Sequence, residues 1–242
     1  TVAHKTSLSS VETDDVSFLF RYFDGFFLYG FFLAFDEEDR VDLFDPKLRD
    51  TTDRDFCWLE ACWSRSLVAH RSDRVVAKLF SLSPRLPRFQ ERFPDAKVLY
   101  MARDPLSVIP SAMSLVTGVL DKKFGFWTLD DALRARYLER LYLALVDLMR
   151  RFHDDWEAGH IDREKVFIVR YDRMMSDFDG MMADLLEFIG HAPDTALQER
   201  IALQAEKQRA YKSGHAYDLG KFGLSEDRIR EDCRFLYEGL LA

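Results

Sequence analysis

The 242 residues carry 48% hydrophobic side chains and a formal net charge of −8. That is enough apolar content to bury one sizeable core, and too acidic a balance for nucleic-acid binding by phosphate neutralisation. Any anionic ligand must therefore be met by a local basic pocket. Cys57, Cys62 and Cys233 form an odd set with no C-x-x-C pair, which reads as free thiols in a reducing, cytoplasmic compartment and against structural zinc.

In chain order, Thr1 to Thr6 lead into serines and acidic residues rather than an apolar run, so no signal peptide is expected. The chain starts without Met, and the expectation is one domain over residues 1–242, N-terminally truncated. His4, Glu12 and Asp14 are titratable groups just ahead of the aromatic stretch Phe18 to Phe35. Arg21 and Asp24 interrupt that stretch, leaving Gly25 to Phe35 free of charge, too short to span a bilayer. It reads most simply as core, and alternatively as the wall of an apolar ligand pocket or as a homodimer face.

Three β-branched runs, Val75 to Lys78, Lys97 to Met101 and Lys165 to Arg170, predict buried parallel strands, each followed by a turn and a helical pattern. That alternation points to a layered α/β fold. Leu133, Tyr137, Leu141, Leu145, Leu148, Phe152 and Trp156 recur every three or four residues, predicting one long helix between Thr128 and Glu157 with a Thr128–Asp131 capping box. Further helices are expected from Ser176, stopping at Gly190, then after Asp194, and from Ser225 with Glu226 and Asp227 in its first turn. The rest reads as loop or irregular. His153, Asp154, Asp155 and His160 read as solvated charges at a helix end rather than metal ligands.

The segment Phe93 to Ser114, FPDAKVLYMARDPLSVIPSAMS, holds the chemistry. A strand ends at Arg103, and a helix opens at about Leu106, with Pro110 near its first turn. The first N–H groups of a helix lack internal partners and face the positive end of its dipole, so such a junction offers amides to an anion. Arg103 adds a forked donor and Ser111 a hydroxyl. The alternative on these residues alone is that Arg103 pairs with Asp104 while Ser111 faces solvent.

R-D-P-x-x-x-x-x-S after FPDAKVLYMA resembles the 3′-phosphate-binding segment of sulfotransferases that use 3′-phosphoadenosine-5′-phosphosulfate (PAPS), especially their bacterial branch. Three further pieces agree in order. Lys78 with Ser83-Pro84-Arg85 is similar to the family's K-N-P-x-x-S-P-R stretch. Val169-Arg170-Tyr171-Asp172 resembles its strand-end Y-E-D. His215 to Ser225, HAYDLGKFGLS, resembles its H-x-Y-x-L-x-x-F-G-L-s element.

The resemblance implies a helix-rich, three-layer P-loop-NTPase-like fold with a central parallel sheet flanked by helices. It implies transfer of a sulfuryl group from PAPS, without a metal, to a hydroxyl or amine of a small-molecule, carbohydrate or lipid acceptor, leaving adenosine 3′,5′-bisphosphate (PAP). By the same resemblance Arg103 and Ser111 hold the 3′-phosphate, Tyr171, Tyr217 and Lys221 line the nucleotide, and Lys78 lies near the transferred group.

Two departures stand out. The family's phosphosulfate loop, near G-x-x-R-S-G-T-T, has no counterpart in these 242 residues. Phe80 occupies the place of the general-base histidine of eukaryotic relatives, so His4, Glu12 and Asp14 become the candidate substitutes, with His4 and Glu12 the favoured bases. The rival expectations are a non-catalytic nucleotide- or partner-binding domain of the same fold, and a P-loop kinase. The kinase lacks its G-K-[ST] loop and an acidic magnesium ligand at a strand end.

Overall fold

The computed structural model of the chain describes residues 20–210 and 217–242. Ten helices of α type are found among these residues. They are α1 (Phe26–Phe31), α2 (Thr52–His70), α3 (Leu86–Arg92), α4 (Pro105–Phe124), α5 (Asp131–Glu157), α6 (Tyr171–Ser176), α7 (Phe178–Phe188), α8 (Thr195–Ala210), α9 (Glu226–Asp232) and α10 (Arg234–Glu238). Strands β1 (Val98–Ala102) and β2 (Val166–Arg170) pair in parallel, from Val98 opposite Val166 to Ala102 opposite Arg170. The protein is thus a helix-rich α/β chain with a small parallel sheet.

Val75 to Lys78 does not join that sheet. The run is extended, with only Lys78 in a bridge, and Val76 is 85% exposed. β-Branched residues form a buried strand only where something packs on them, and here nothing covers Val76. The stretch expected to be irregular instead contains the 19-residue α2.

Helix boundaries follow local chemistry. Pro105 occupies the first position of α4, where its missing N–H is harmless and its fixed φ favours the helix. Pro110, by contrast, sits inside α4 and is buried, past the first turn where the sequence suggested it. Gly125, at φ 67°, closes the helix in the left-handed region. The cap of α5 is Asp130, whose carboxylate accepts from the Ala132 and Leu133 amides at 2.9 and 3.2 Å. Thr128 instead donates to the Gly125 carbonyl, and no Thr128–Asp131 box forms. Likewise Asp177 caps α7 through the Gly180 amide at 3.2 Å, while Ser176 ends α6 by donating to the Asp172 carbonyl. In both places a carboxylate nearer the helix, two residues on at α5 and one at α7, displaces the expected hydroxyl. Asp194 and Ser225 cap α8 and α9.

The 27-residue α5 organises the packing. Its Tyr137, Leu141, Tyr142 and Leu145 enter one apolar cluster with Tyr29 of α1, Ile109 and Met113 of α4, and Ile229 of α9. Phe152, near its other end, enters a second cluster with Phe56, Leu59, Leu86, Phe89 and Val166. Phe152 stacks on Tyr100 of β1, centroids 3.5 Å apart. Phe167 of β2 packs on Phe188 of α7 at 5.5 Å. Tyr100 and Phe167 lie on opposite sheet faces because they are out of register by one residue, so α5 and α7 sit on opposite faces. Buried phenols are satisfied: Tyr137 donates to the Gly30 carbonyl and Tyr142 to Asp232 at 2.6 Å.

A buried ionic cluster joins α2 to the turn before α3. Arg54 forks onto Asp24 at 2.9 and 3.0 Å and also reaches Asp55. Arg85, 7% exposed, donates to Asp55 at 2.5 Å.

Candidate active site

In a parallel sheet the carboxyl ends of adjacent strands open into helices, and the crevice between them is where ligands bind in open α/β folds. Here β1 and β2 end in register at Ala102 and Arg170. The next residues on the two strands are Arg103 and Tyr171, which the register brings side by side. The Arg103 guanidinium carbon lies 4.1 Å from the Tyr171 ring centroid. Its Nε is buried with no hydrogen-bond partner.

The pairing of Arg103 with Asp104, left open by the sequence, does not occur. Asp104 Oδ1 accepts from the Leu106 amide at 2.9 Å and from the Tyr237 hydroxyl at 2.6 Å. Among the described residues Arg103 therefore has an aromatic support and no carboxylate. A guanidinium in that condition retains the charge and the planar fork of donors that an oxyanion needs.

The amides of α4 play a different part from the one its sequence suggests. Pro105 has no N–H, Leu106 N is held by the Asp104 side chain, and Ser107 and Val108 donate to the Asp104 carbonyl at 2.8 and 3.1 Å. An aspartate at the cap position fills the place an anion would take. Anion recognition at this junction thus falls to side chains. Ser111 is half-buried on α4, nearly two turns in, on the helix that starts beside Arg103.

The remaining predicted residues are scattered. Lys78 precedes the turn Phe80–Arg85, and Phe80 packs on Phe26 and Phe27 with centroids 5.4 and 5.1 Å apart. Lys221 stands over Trp127, Nζ 4.2 Å from the ring. Trp127 lies just beyond the far end of α4, and a helix of that length spans about 30 Å. Lys221 is thus not brought to Arg103. Tyr217 is half-buried in the segment leading to Lys221. His4 and Glu12 lie outside the described residues. Among the described residues no cluster of His, Cys, Asp or Glu is arranged to hold a metal ion. His160 pairs with Asp155 at 3.1 Å, whereas His153 faces Phe235.

Three residues at the junction take parts that the motifs do not announce, Asp104 and Arg170 from inside them and Tyr237 from outside. Asp104 fixes the start of α4, Tyr237 binds Asp104 from 133 residues away, and Arg170 forks onto Asp172 while donating to the main-chain oxygen of Ala242 at 2.7 Å. Burial, then the neighbouring Asp104, push the Tyr237 phenol well above its ordinary range, so it stays a donor.

The family described as the sulfotransferase family matches the chain over residues 34–195. The chain belongs to that family. Membership supports sulfuryl transfer as its general chemistry, with a sulfuryl donor and an acceptor as substrates. The matched span of this sulfotransferase includes Lys78, Arg103, Ser111 and Tyr171 and ends before Tyr217 and Lys221. No curated protein and no solved structure matches the sulfotransferase. Among the described residues no helix is long and apolar enough to cross a membrane.

Proposed function

We propose that this sulfotransferase takes its sulfuryl group from PAPS and binds the nucleotide at the carboxyl end of β1 and β2. The observation that carries the reading is Arg103, supported by Tyr171, free of a carboxylate among the described residues, and keeping a buried Nε without a partner. A buried donor without an acceptor is costly, and a phosphate oxygen supplies the acceptor. Arg103 and Ser111 hold the 3′-phosphate, and Tyr171 backs the guanidinium on the nucleotide side. Tyr217 lines the nucleotide on this reading, whereas Lys221 rests on Trp127 and is left out of the proposed site. On this reading β1 and β2 are two strands of a three-layer, P-loop-NTPase-like sheet, with α5 and α7 in the outer layers.

In the reaction, an acceptor hydroxyl or amine on a small molecule, carbohydrate or lipid attacks sulfur. A new O–S or N–S bond forms, the bond from sulfur to the bridging phosphate oxygen breaks, and PAP departs with the electron pair. A base takes the acceptor proton, and His4 or Glu12 is the proposed one. Lys78 offsets charge growing on the bridging oxygen. Positioning and charge stabilisation carry the rate, as in phosphoryl transfer.

Calorimetric titration with PAP tests the site. Saturable binding is expected, weakened about 30-fold by Arg103→Ala, in line with loss of hydrogen bonds to a charged group. No saturable binding, or equal binding by the variant, overturns the assignment. Transfer is tested separately: PAP release is expected when PAPS and an acceptor are supplied together, and saturable PAP binding without release would mean a nucleotide-binding domain that does not transfer.

A further inference from the structure

Arg103 and Tyr171 have one neighbour each that leaves the sheet edge for the same place. Asp104, directly after Arg103, accepts the Tyr237 hydroxyl at 2.6 Å. Arg170, directly before Tyr171, donates to the main-chain oxygen of Ala242 at 2.7 Å. Both partners belong to the short stretch that begins with α10. That stretch is itself moored to α5: Arg150 stands over the Phe235 ring at 4.4 Å and donates to the Asp232 carbonyl at 2.8 Å, and His153 packs on Phe235 at 5.0 Å. Leu236 is buried in the main apolar cluster.

We propose that residues 237–242 are a strap that positions the Arg103–Tyr171 pair, and that Tyr237 is its decisive positioning residue. The proposal rests on the nucleotide reading of that pair given above. The ladder between the two strands stops at Ala102 and Arg170. Beyond that point the strap supplies the cross-links, one on each chain. Tyr237 acts through Asp104. The same Oδ1 that accepts its hydrogen bond also caps the Leu106 amide, so the phenol fixes the cap and the cap fixes the turn from which Arg103 projects. Without the hydroxyl Asp104 keeps the amide but loses its lateral restraint, and its carboxylate is free to turn toward the adjacent Arg103. An Arg103–Asp104 pair would compete with the 3′-phosphate. The strap therefore keeps the carboxylate from neutralising the guanidinium beside it.

Tyr237→Phe removes the hydroxyl alone. The expected result is a PAP dissociation constant raised about fivefold, the share of a single hydrogen bond, with an unchanged thermal midpoint. In the ligand-free protein, amide exchange in the 103–108 segment is expected to quicken while that of α5 does not. In an Arg103→Ala background Tyr237→Phe is expected to cost no further affinity, because its effect runs through Arg103. Asp104→Asn, which keeps a capping oxygen but cannot form an ion pair with Arg103, is expected to restore PAP affinity in the Tyr237→Phe background, and it serves as the second variant if Tyr237→Phe lowers the midpoint. Unchanged exchange, unchanged affinity, or a loss of equal size in the Arg103→Ala background overturns the strap. Absence of PAP binding by the parent protein overturns the nucleotide reading instead, and the exchange arm still decides whether Tyr237 positions the junction.

Discussion

Arg85 and Arg103 both lie in segments that resemble the family's motifs, and each has an Nε that is buried without a partner. Their surroundings differ in one respect that decides their roles. Arg85 is 7% exposed and its charge is met by Asp55 at 2.5 Å, within a cluster where Arg54 and Thr51 hold the same carboxylate. Arg103 is half-buried, lies on an aromatic ring, and has a carboxylate as its sequence neighbour that is engaged elsewhere. The first arginine is neutralised and holds α2 to the turn before α3. The second keeps its charge for something else. An arginine in a motif is thus assigned to structure or to ligand by where the nearest carboxylate points.

The largest expected effect breaks the first half of that contrast. Arg85→Ala leaves Asp55 nearly buried with Arg54 and the Thr51 hydroxyl only. Removing one partner of a buried pair costs about 3–5 kcal/mol, and the lower end is expected because Arg54 stays. Urea unfolding measures it. Arg103→Ala in the same assay is expected to change stability by less than about 0.5 kcal/mol, since it breaks no ion pair among the described residues. Equal costs at the two positions would mean that both arginines are structural.

How far sequence alone reached depends on whether a feature was encoded locally. The long helix α5 could be read because its apolar residues recur at helical spacing, and most of them are buried in the two clusters. The strand-to-helix junction at Arg103 was visible for the same reason, with an apolar strand followed by Asp104 and Pro105. α2 escaped because its buried side is narrow: Phe56 and Leu59 are buried, while Cys57 and Val68 on the other sides are exposed. Without a clear polar face, the period does not stand out. Val75 and Val76 misled in the opposite way, since β-propensity without burial makes no strand. At the site, Arg103 and Tyr171 were each marked by a motif, but their contact depends on the β1–β2 register. The state of Asp104 depends on Tyr237, far along the chain, so no local pattern could decide between an Arg103–Asp104 pair and a free guanidinium.

A smaller effect concerns pH and sharpens the second half of the contrast. Tyr237 has its folded pKa raised above the ordinary 10.0, first by burial and then by Asp104. PAP binds the folded protein, in which the phenol keeps its proton well past its ordinary value, so the hydrogen bond to Asp104 is lost only as pH rises through that raised folded pKa. The ratio of PAP dissociation constants between Tyr237→Phe and the parent is therefore expected to stay constant from about pH 7 to about 10. A ratio that changes near neutrality would place control of Arg103 in another group.

The smallest effect is at Tyr171. The ring supplies a face for the Arg103 guanidinium at 4.1 Å. A cation–π contact at a half-exposed site is worth about 0.5–1 kcal/mol, so Tyr171→Leu is expected to weaken PAP binding about threefold. Tyr171→Phe, which keeps the ring and loses only the hydroxyl, is expected to bind PAP as the parent does. Titration of the two variants separates the possibilities. If Phe matches the parent and Leu loses threefold, the ring acts as a platform for a charge that the protein leaves unpaired. If Phe loses as much as Leu, the hydroxyl touches the nucleotide directly and Tyr171 is a binding residue in its own right. If Leu costs as much as Arg103→Ala, the guanidinium has no fixed place without the ring, and the contrast with Arg85, which is held by Asp55, becomes one of rigidity as well as charge.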